Sequence, residues 1–378
     1  MSSTVKSVKV TYTPVNEQDT FTYGDLVSGQ VILEVVKECQ IESLSVKFKG
    51  KAEVMWTERY GQTTVVYSSK DKYFSLKHHF IKKDKDDQPL LSSQNGDTYS
   101  SVVAPGCHTY PFTFQFPSHR SLPSSFKGSV GKIVYLLEAR LSRSMRLAKK
   151  DSSKLNFLAG ADLNSDPKLL APQQDSKDKK LKFFNSGSVA MDVHLERTGF
   201  FQGEGLKVVA NIQNNSAREI KPKYTVYRKH SFFAGGKRRM DTKDVFREVG
   251  EPIPPNTNEI VTRFIAIPHD VEPSIHNCSI ITAEHRLRVC LDVKYASDPE
   301  IKFPIVILPA GQGSAVAPPP ADSDFGCGFP SEKSGNPEMV GWGAAAPQPP
   351  TQAFGPPPAY SEHEMYPPTT DYDNKYES

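Results

Sequence analysis

Between Ser7 and Thr13 the chain alternates Val8, Val10 and Tyr12 with Ser7, Lys9 and Thr11, the period of two that a half-buried strand needs. Gln30 to Val35 predicts a second strand. Ile41 to Phe48 predicts a third, with Leu44, Val46 and Phe48 on one face. Val54 with Trp56, then Val65 with Tyr67, continue the pattern, and Phe74, Leu76, His78 and Phe80 alternate again. Residues 81–106 are polar, hold Asn95-Gly96 and the charged run Lys82 to Asp87, and predict a long mobile hairpin loop. From His108 to Phe116 the inward set is Tyr110, Phe112, Phe114 and Phe116. The best strand of this half runs from Lys132 to Arg143, with Ile133, Tyr135, Leu137, Ala139 and Leu141 facing one way. Regularity fades after Leu158, and a new strand series opens at Val189 to Leu195.

The second series repeats the first. Gly24-Asp25 is followed by Ile41 and then Val46-Lys47-Phe48, and Gly203-Glu204 is followed at the same spacing by Ile220 and then Thr225-Val226-Tyr227. Phe114-Gln115-Phe116-Pro117 corresponds to Ile265-Ala266-Ile267-Pro268, and Tyr135 to Glu138 corresponds to Val289 to Asp292. An all-β chain of two tandem, immunoglobulin-like β-sandwiches follows, with residues 5–160 and 186–309 as the sandwiches and 161–185 as a linker. After Pro309 alternation stops, and residues 310–378 read as a disordered, Pro-rich tail that lacks the apolar surface to offset its ordering entropy.

Charge sharpens this division. The tail carries nine acids and two bases, a net of 2 − 9 = −7, so the body has 44 bases against 34 acids, a net of +10. A basic body suits anionic lipid or phosphorylated peptide. Within it Arg140, Arg143, Arg146, Lys149 and Lys150 form a basic stripe, expected to meet an anionic membrane or phosphate groups. No aromatic residue is interleaved for base stacking, which argues against nucleic acid. The chain opens without an apolar signal segment and has no run of membrane-spanning length, so a cytoplasmic protein is expected.

Catalytic patterns fail one after another. Gly235-Gly236-Lys237 lacks the rest of a phosphate loop, with Arg238 in place of Ser or Thr. His363-Glu364 has Pro367 where a zinc protease places its second histidine. His78-His79 has no further ligand at metal spacing, and Cys278 reads as a strand position alternating with Ile280 and Thr282. The five cysteines form no Cys-x-x-Cys pair, and no cofactor is expected.

One tail motif does carry chemistry. Pro357-Pro358-Ala359-Tyr360 fixes φ at two successive residues and favours a polyproline II ribbon. WW domains hold such proline rings between aromatic side chains and seat the tyrosine in a neighbouring pocket. With 13 prolines and 4 tyrosines in the tail, a random match has a probability of roughly 0.15.

Taken together, Tyr23-Gly24-Asp25-Leu26-Val27-Ser28-Gly29-Gln30-Val31, the His108 to Pro117 strand, Leu169-Leu170-Ala171-Pro172, Gly203-Glu204 and Pro273-Ser274-Ile275 resemble the arrestin domain-containing proteins, or α-arrestins. The resemblance implies two arrestin-type sandwiches and a non-enzymatic adaptor. Such an adaptor recruits HECT-type ubiquitin ligases through WW domains to receptors or transporters, for ubiquitination, endocytosis and endosomal sorting at plasma membrane and endosomes. Only Pro357, Pro358 and Tyr360 carry over as ligase-binding residues. Relatives often have two such motifs, whereas Pro367-Pro368-Thr369-Thr370 lacks the tyrosine. The alternative is a ligase-independent scaffold for phosphorylated receptors or endosomal sorting complexes.

Overall fold

The computed structural model describes the chain except for residues 1–3, 84–88, 92–98, 119–120, 161–162, 182–186, 295–296 and 311–378. Its first half contains β1 (Val5–Tyr12), β2 (Thr20–Phe21), β3 (Leu26–Val35), β4 (Cys39–Gln40), β5 (Ser43–Tyr60) and β6 (Thr63–Lys83). Then follow β7 (Pro89–Leu91), β8 (Val102–Val103), β9 (Gly106–Gln115), β10 (Phe126–Lys127), β11 (Gly131–Arg143) and β12 (Arg146–Phe157). A sheet of order β1-β3-β9 faces a larger one of order β2-β12-β11-β5-β6-β7. Between them lie the inward residues of the alternating runs, including Val10, Leu33, Phe48, Phe112, Phe116, Tyr135 and Phe157. Phe48 meets Phe74 and Phe116 at ring-centroid distances of 4.8 Å, in the edge-to-face geometry that aromatic quadrupoles favour. The buried Tyr135 hydroxyl donates to the Pro123 carbonyl at 2.6 Å, so its polar atom is satisfied.

Three expectations shift here. The runs around Val54, Val65 and Phe74 are parts of one long hairpin, because β5 pairs with β6 along its length across register shifts at Leu44/Ser45 and Gly50/Lys51. These bulges break the period of two and disguise the continuity. Leu76, expected inside, is 41% exposed, since β6 lies towards the edge of a sheet wider than the three strands facing it. The polar stretch 81–106 is not all loop. Its first residues extend β6, β7 pairs with them, and β8 pairs with β4; within the stretch, residues 84–88 and 92–98 lie outside the described ones.

After a one-turn helix α1 (Pro167–Leu170) come β13 (Gln173–Lys180), β14 (Ser188–Leu195), β15 (Gly199–Phe201), β16 (Gly205–Asn215) and β17 (Lys221–Ala234). The half closes with β18 (Lys237–Val249), β19 (Thr257–Ala266), β20 (Ile281–Asp292) and β21 (Glu300–Leu308). Its sheets run β13-β14-β16-β19 and β15-β21-β20-β17-β18. The segment read as a linker thus contributes an edge strand, β13, paired with β14 from Gln173↔Leu195 to Lys180↔Ser188. With no apolar face, Gln173 to Lys180 gives no strand signal in sequence.

The internal repeat is structural. Gly24 and Gly203 both sit at φ +80, a left-handed conformation that favours glycine, and each is followed by an acid that closes the turn. Asp25 Oδ2 accepts from the Thr22 amide at 2.7 Å, and Glu204 Oε2 accepts from the Phe201 amide at 2.8 Å. The carbonyls of the same two acids accept from the amides of Phe116 and Ile267, each at 2.9 Å. In both halves a short strand then runs parallel to a long one, β2 beside β12 and β15 beside β21.

The halves meet through the end of β17. Phe232 is fully buried and belongs to the first sandwich's core, together with Ala234, Ile275, Cys278, Ile280, Ile281 and Ala283. Its ring occupies room left by two glycines, because a Cβ on Gly128 or Gly131 would come within 2.7 Å of it. Polar bonds edge the seam: Tyr73 donates to Cys278 Sγ at 3.2 Å, Ser279 to Asp71 Oδ2 at 2.7 Å, and Asn277 to Ser121 Oγ at 3.0 Å. Cys278 therefore lies in a connection ahead of β20 and packs at the seam, not on the strand that alternation suggested. Truncating Phe232 to Ala should cost about 3–5 kcal/mol in denaturant unfolding. Met240→Ala on the next strand, exposed, should change stability by no more than about 0.5 kcal/mol. Equal effects would mean that the seam does not hold the halves together.

Candidate functional site

The motif residues Pro357, Pro358 and Tyr360 lie outside the described residues. The basic stripe lies within them, and the structure divides it. Arg140 pairs with Lys150, and Arg143 with Arg146, across the hairpin that joins β11 to β12 through a two-residue turn. Lys149, one position along, faces the other way: its ammonium donates to the backbone carbonyls of Val5 at 2.6 Å and Lys6 at 3.0 Å. Asp151 Oδ2 likewise accepts from the Val10 amide at 2.8 Å. Lys149 and Asp151 thus fasten the edge of β1, and the stripe's outward cations are the four arginine and lysine residues that remain.

Register adds cations that the sequence separates by many residues. Arg140 lies opposite Ser45 on β5, which lies opposite His79 on β6, and Ser142 leads through Ser43 to Lys82 in the same manner. Lys47 and Lys77 are paired one step further along. Partial burial, then repulsion from Lys47, Arg140 and Lys82, holds the Lys77 ammonium below the usual lysine range. Glu138, opposite Lys47, is engaged by Lys49 at 2.9 Å. The arrangement concentrates positive charge on one sheet face and its hairpin, which suits a multiply charged anionic surface.

Other chemical candidates resolve into structural parts. Gly235-Gly236, both at positive φ, forms the two-residue turn between β17 and β18, as a tight hairpin demands. Burial pushes His78 and His79 below the ordinary histidine range, and His78 packs edge-on against Phe80 at 4.9 Å. Among the described residues no group of three or more His, Cys, Asp or Glu could hold a metal ion. No helix among them is long and apolar enough to cross a membrane.

A titratable cluster went unseen in the sequence because its members come from separate elements. Glu272 forms an ion pair with Arg228 and stands 3.2 Å from His230 Nε2, and Ser274 Oγ lies 3.0 Å from His285 Nδ1. Ser274 Oγ also accepts from the Ile307 amide at 2.9 Å, stapling β21. Burial lowers His285 to about 4, helped by the charge of His230. The bond to His230, with Arg228 also bonding and against a burial penalty, lowers Glu272 to about 2. His230 and His285 are 1% exposed, which keeps a substrate from them and makes this a packing element.

Two sandwiches of matching strand order, joined through a common seam, define a tandem β-sandwich class of protein. Residues 9–164 match the family model described as arrestin (or S-antigen), N-terminal domain, and residues 185–311 match the corresponding C-terminal domain. The chain belongs to the arrestin family, within its α-arrestin branch. It is similar to arrestin domain-containing protein 4 of Mus musculus, 28% identical over 296 residues that cover 76% of this chain and 68% of the relative. The Homo sapiens protein of the same name is also 28% identical, over 298 residues, with the same coverage. Thioredoxin-interacting protein of Homo sapiens is 25% identical over 310 residues, 81% of this chain and 75% of the relative.

The cluster predicts how stability responds to acid. A histidine held near 4 in the fold and at 6.5 when unfolded contributes fully above pH 6.5 and loses that contribution down to about 4. A glutamate held near 2 contributes above 4.5 and loses its share as pH falls towards 2. The melting temperature should therefore begin to fall below pH 6.5, and His285→Gln should flatten the profile between 6.5 and 4. A wild-type profile already flat in that window would remove the basis for this assignment.

Proposed function

We propose that this chain is a non-enzymatic adaptor that brings WW-domain, HECT-type ubiquitin ligases to membrane cargo such as receptors and transporters, promoting ubiquitination, endocytosis and endosomal sorting. The observation that carries the reading is Pro357-Pro358-Ala359-Tyr360 in a Pro-rich tail behind two arrestin domains. Prolines 357 and 358 enter the groove at little entropic cost because their φ angles are already set, and Tyr360 fills the adjoining pocket. The two-sandwich body offers broad surfaces suited to cargo, while the tail reaches the ligase. A single motif gains no avidity from tandem WW domains, so affinity rests on these three side chains.

A pull-down of ligase WW domains by the full chain tests the mechanism. Tyr360→Ala should weaken capture by roughly tenfold or more, as expected for an aromatic anchor. Phosphorylation of Tyr360 should do the same by adding charge and bulk to a side chain that must enter a pocket. Capture indifferent to Tyr360 would favour the ligase-independent scaffold, with its partner bound on the body.

A further inference from the structure

The turn between β11 and β12 consists of Ser144 and Met145, and Met145 adopts φ +54. A long side chain in that left-handed region is uncommon, because the Cβ crowds the backbone. Met145 is 98% exposed and Leu147 is 95% exposed, the two most exposed of the large apolar residues described. The geometry of the hairpin explains why. On β12, Lys149 reaches the carbonyl of Val5, the first residue of β1. Leu147 lies two residues nearer the turn, past the end of that facing strand, and no apolar partner takes it up.

Cations surround this apolar tip. Arg143 and Arg146 pair at the turn itself, Arg140 and Lys150 pair behind it, and Lys82 and Lys77 continue the charge onto β6. Among the described residues no ion pair engages any of these six. The acids close by are fewer than these cations: Glu138 is held first by Lys49 and only then feels Lys150, and Glu38 and Glu42 lie on the neighbouring segment.

We propose that the β11–β12 hairpin is a membrane-docking tip, in which Met145 and Leu147 enter the interfacial region of an anionic bilayer while Arg140, Arg143, Arg146 and Lys150 contact its headgroups. Two weak signals combine in such docking, since shallow apolar insertion and headgroup attraction are each insufficient alone. A phosphorylated peptide would use the cations but has no use for two apolar side chains held out on a projecting turn. The shape also favours a surface, because a hairpin end is convex and offers a bilayer a point of entry. The inference stands apart from the ligase reading and uses no residue of the tail.

The test is co-sedimentation of the full chain with vesicles of phosphatidylcholine alone and with roughly a third phosphatidylserine. Wild-type chain should bind the anionic vesicles, and binding should weaken as salt is raised. Met145→Gly suits the positive φ, so its melting temperature should hold or rise; combined with Leu147→Ser it should lower vesicle affinity by roughly tenfold or more. Arg143→Gln with Arg146→Gln should weaken binding and flatten its salt dependence. Leu147→Trp should add blue-shifted emission with anionic vesicles beyond that of wild type. Tyr360→Ala should leave every one of these readouts unchanged, which separates this proposal from the adaptor mechanism. Failure of wild type to bind anionic vesicles would overturn it. So would full binding by the Met145→Gly, Leu147→Ser chain, or capture of a soluble phosphopeptide by the cations without vesicle binding.

Discussion

The placement of Phe232 governs much of the molecule. Each sandwich could close its own core, but β17 ends by inserting this ring over Gly128 and Gly131 of the other sandwich. Both glycines are needed for space, since any side chain there would meet the ring at 2.7 Å. The result is one apolar cluster that spans the junction, with Tyr73, Asp71 and Ser121 bonding across its margin. A buried ring of this size contributes on the order of a few kcal/mol, which is large against the net stability of a domain.

Much of this fold is legible in the chain because most strands bury one face only. Val8 and Val10, or Tyr110 to Phe116, alternate cleanly for that reason, and the repeated Gly-acid turn is legible because only a positive φ and a closing carboxylate satisfy that corner. The failures have equally local causes. β13 is exposed on both faces and so has no apolar period, and the bulges of β5 shift its phase midway. Cys278 alternates with Ile280 in sequence yet sits in the seam, where burial comes from the neighbouring sandwich.

Surface chemistry was less legible than the core. The stripe Arg140, Arg143, Arg146, Lys149 and Lys150 is visible as composition, but strand alternation turns Lys149 inward to the edge of β1. Lys47, Lys77 and Lys82 join the remaining cations only through pairing register, which no contiguous pattern reveals. The cluster of Arg228, His230, Glu272, Ser274 and His285 is likewise assembled from three separated segments. The tail motif is the converse case: a polyproline ligand needs local order alone, so the role proposed for Pro357, Pro358 and Tyr360 rests on adjacent residues of the sequence.

Joined, the two proposals make the chain a bridge, with membrane contact proposed for the body and ligase contact proposed for the tail. Its most direct measurement is whether WW domains of a HECT-type ligase sediment with anionic vesicles when the full chain is added. The account predicts that they do, and that either Tyr360→Ala or the paired Met145→Gly, Leu147→Ser change returns them to the supernatant. WW domains left in solution beside vesicle-bound wild-type chain would contradict it.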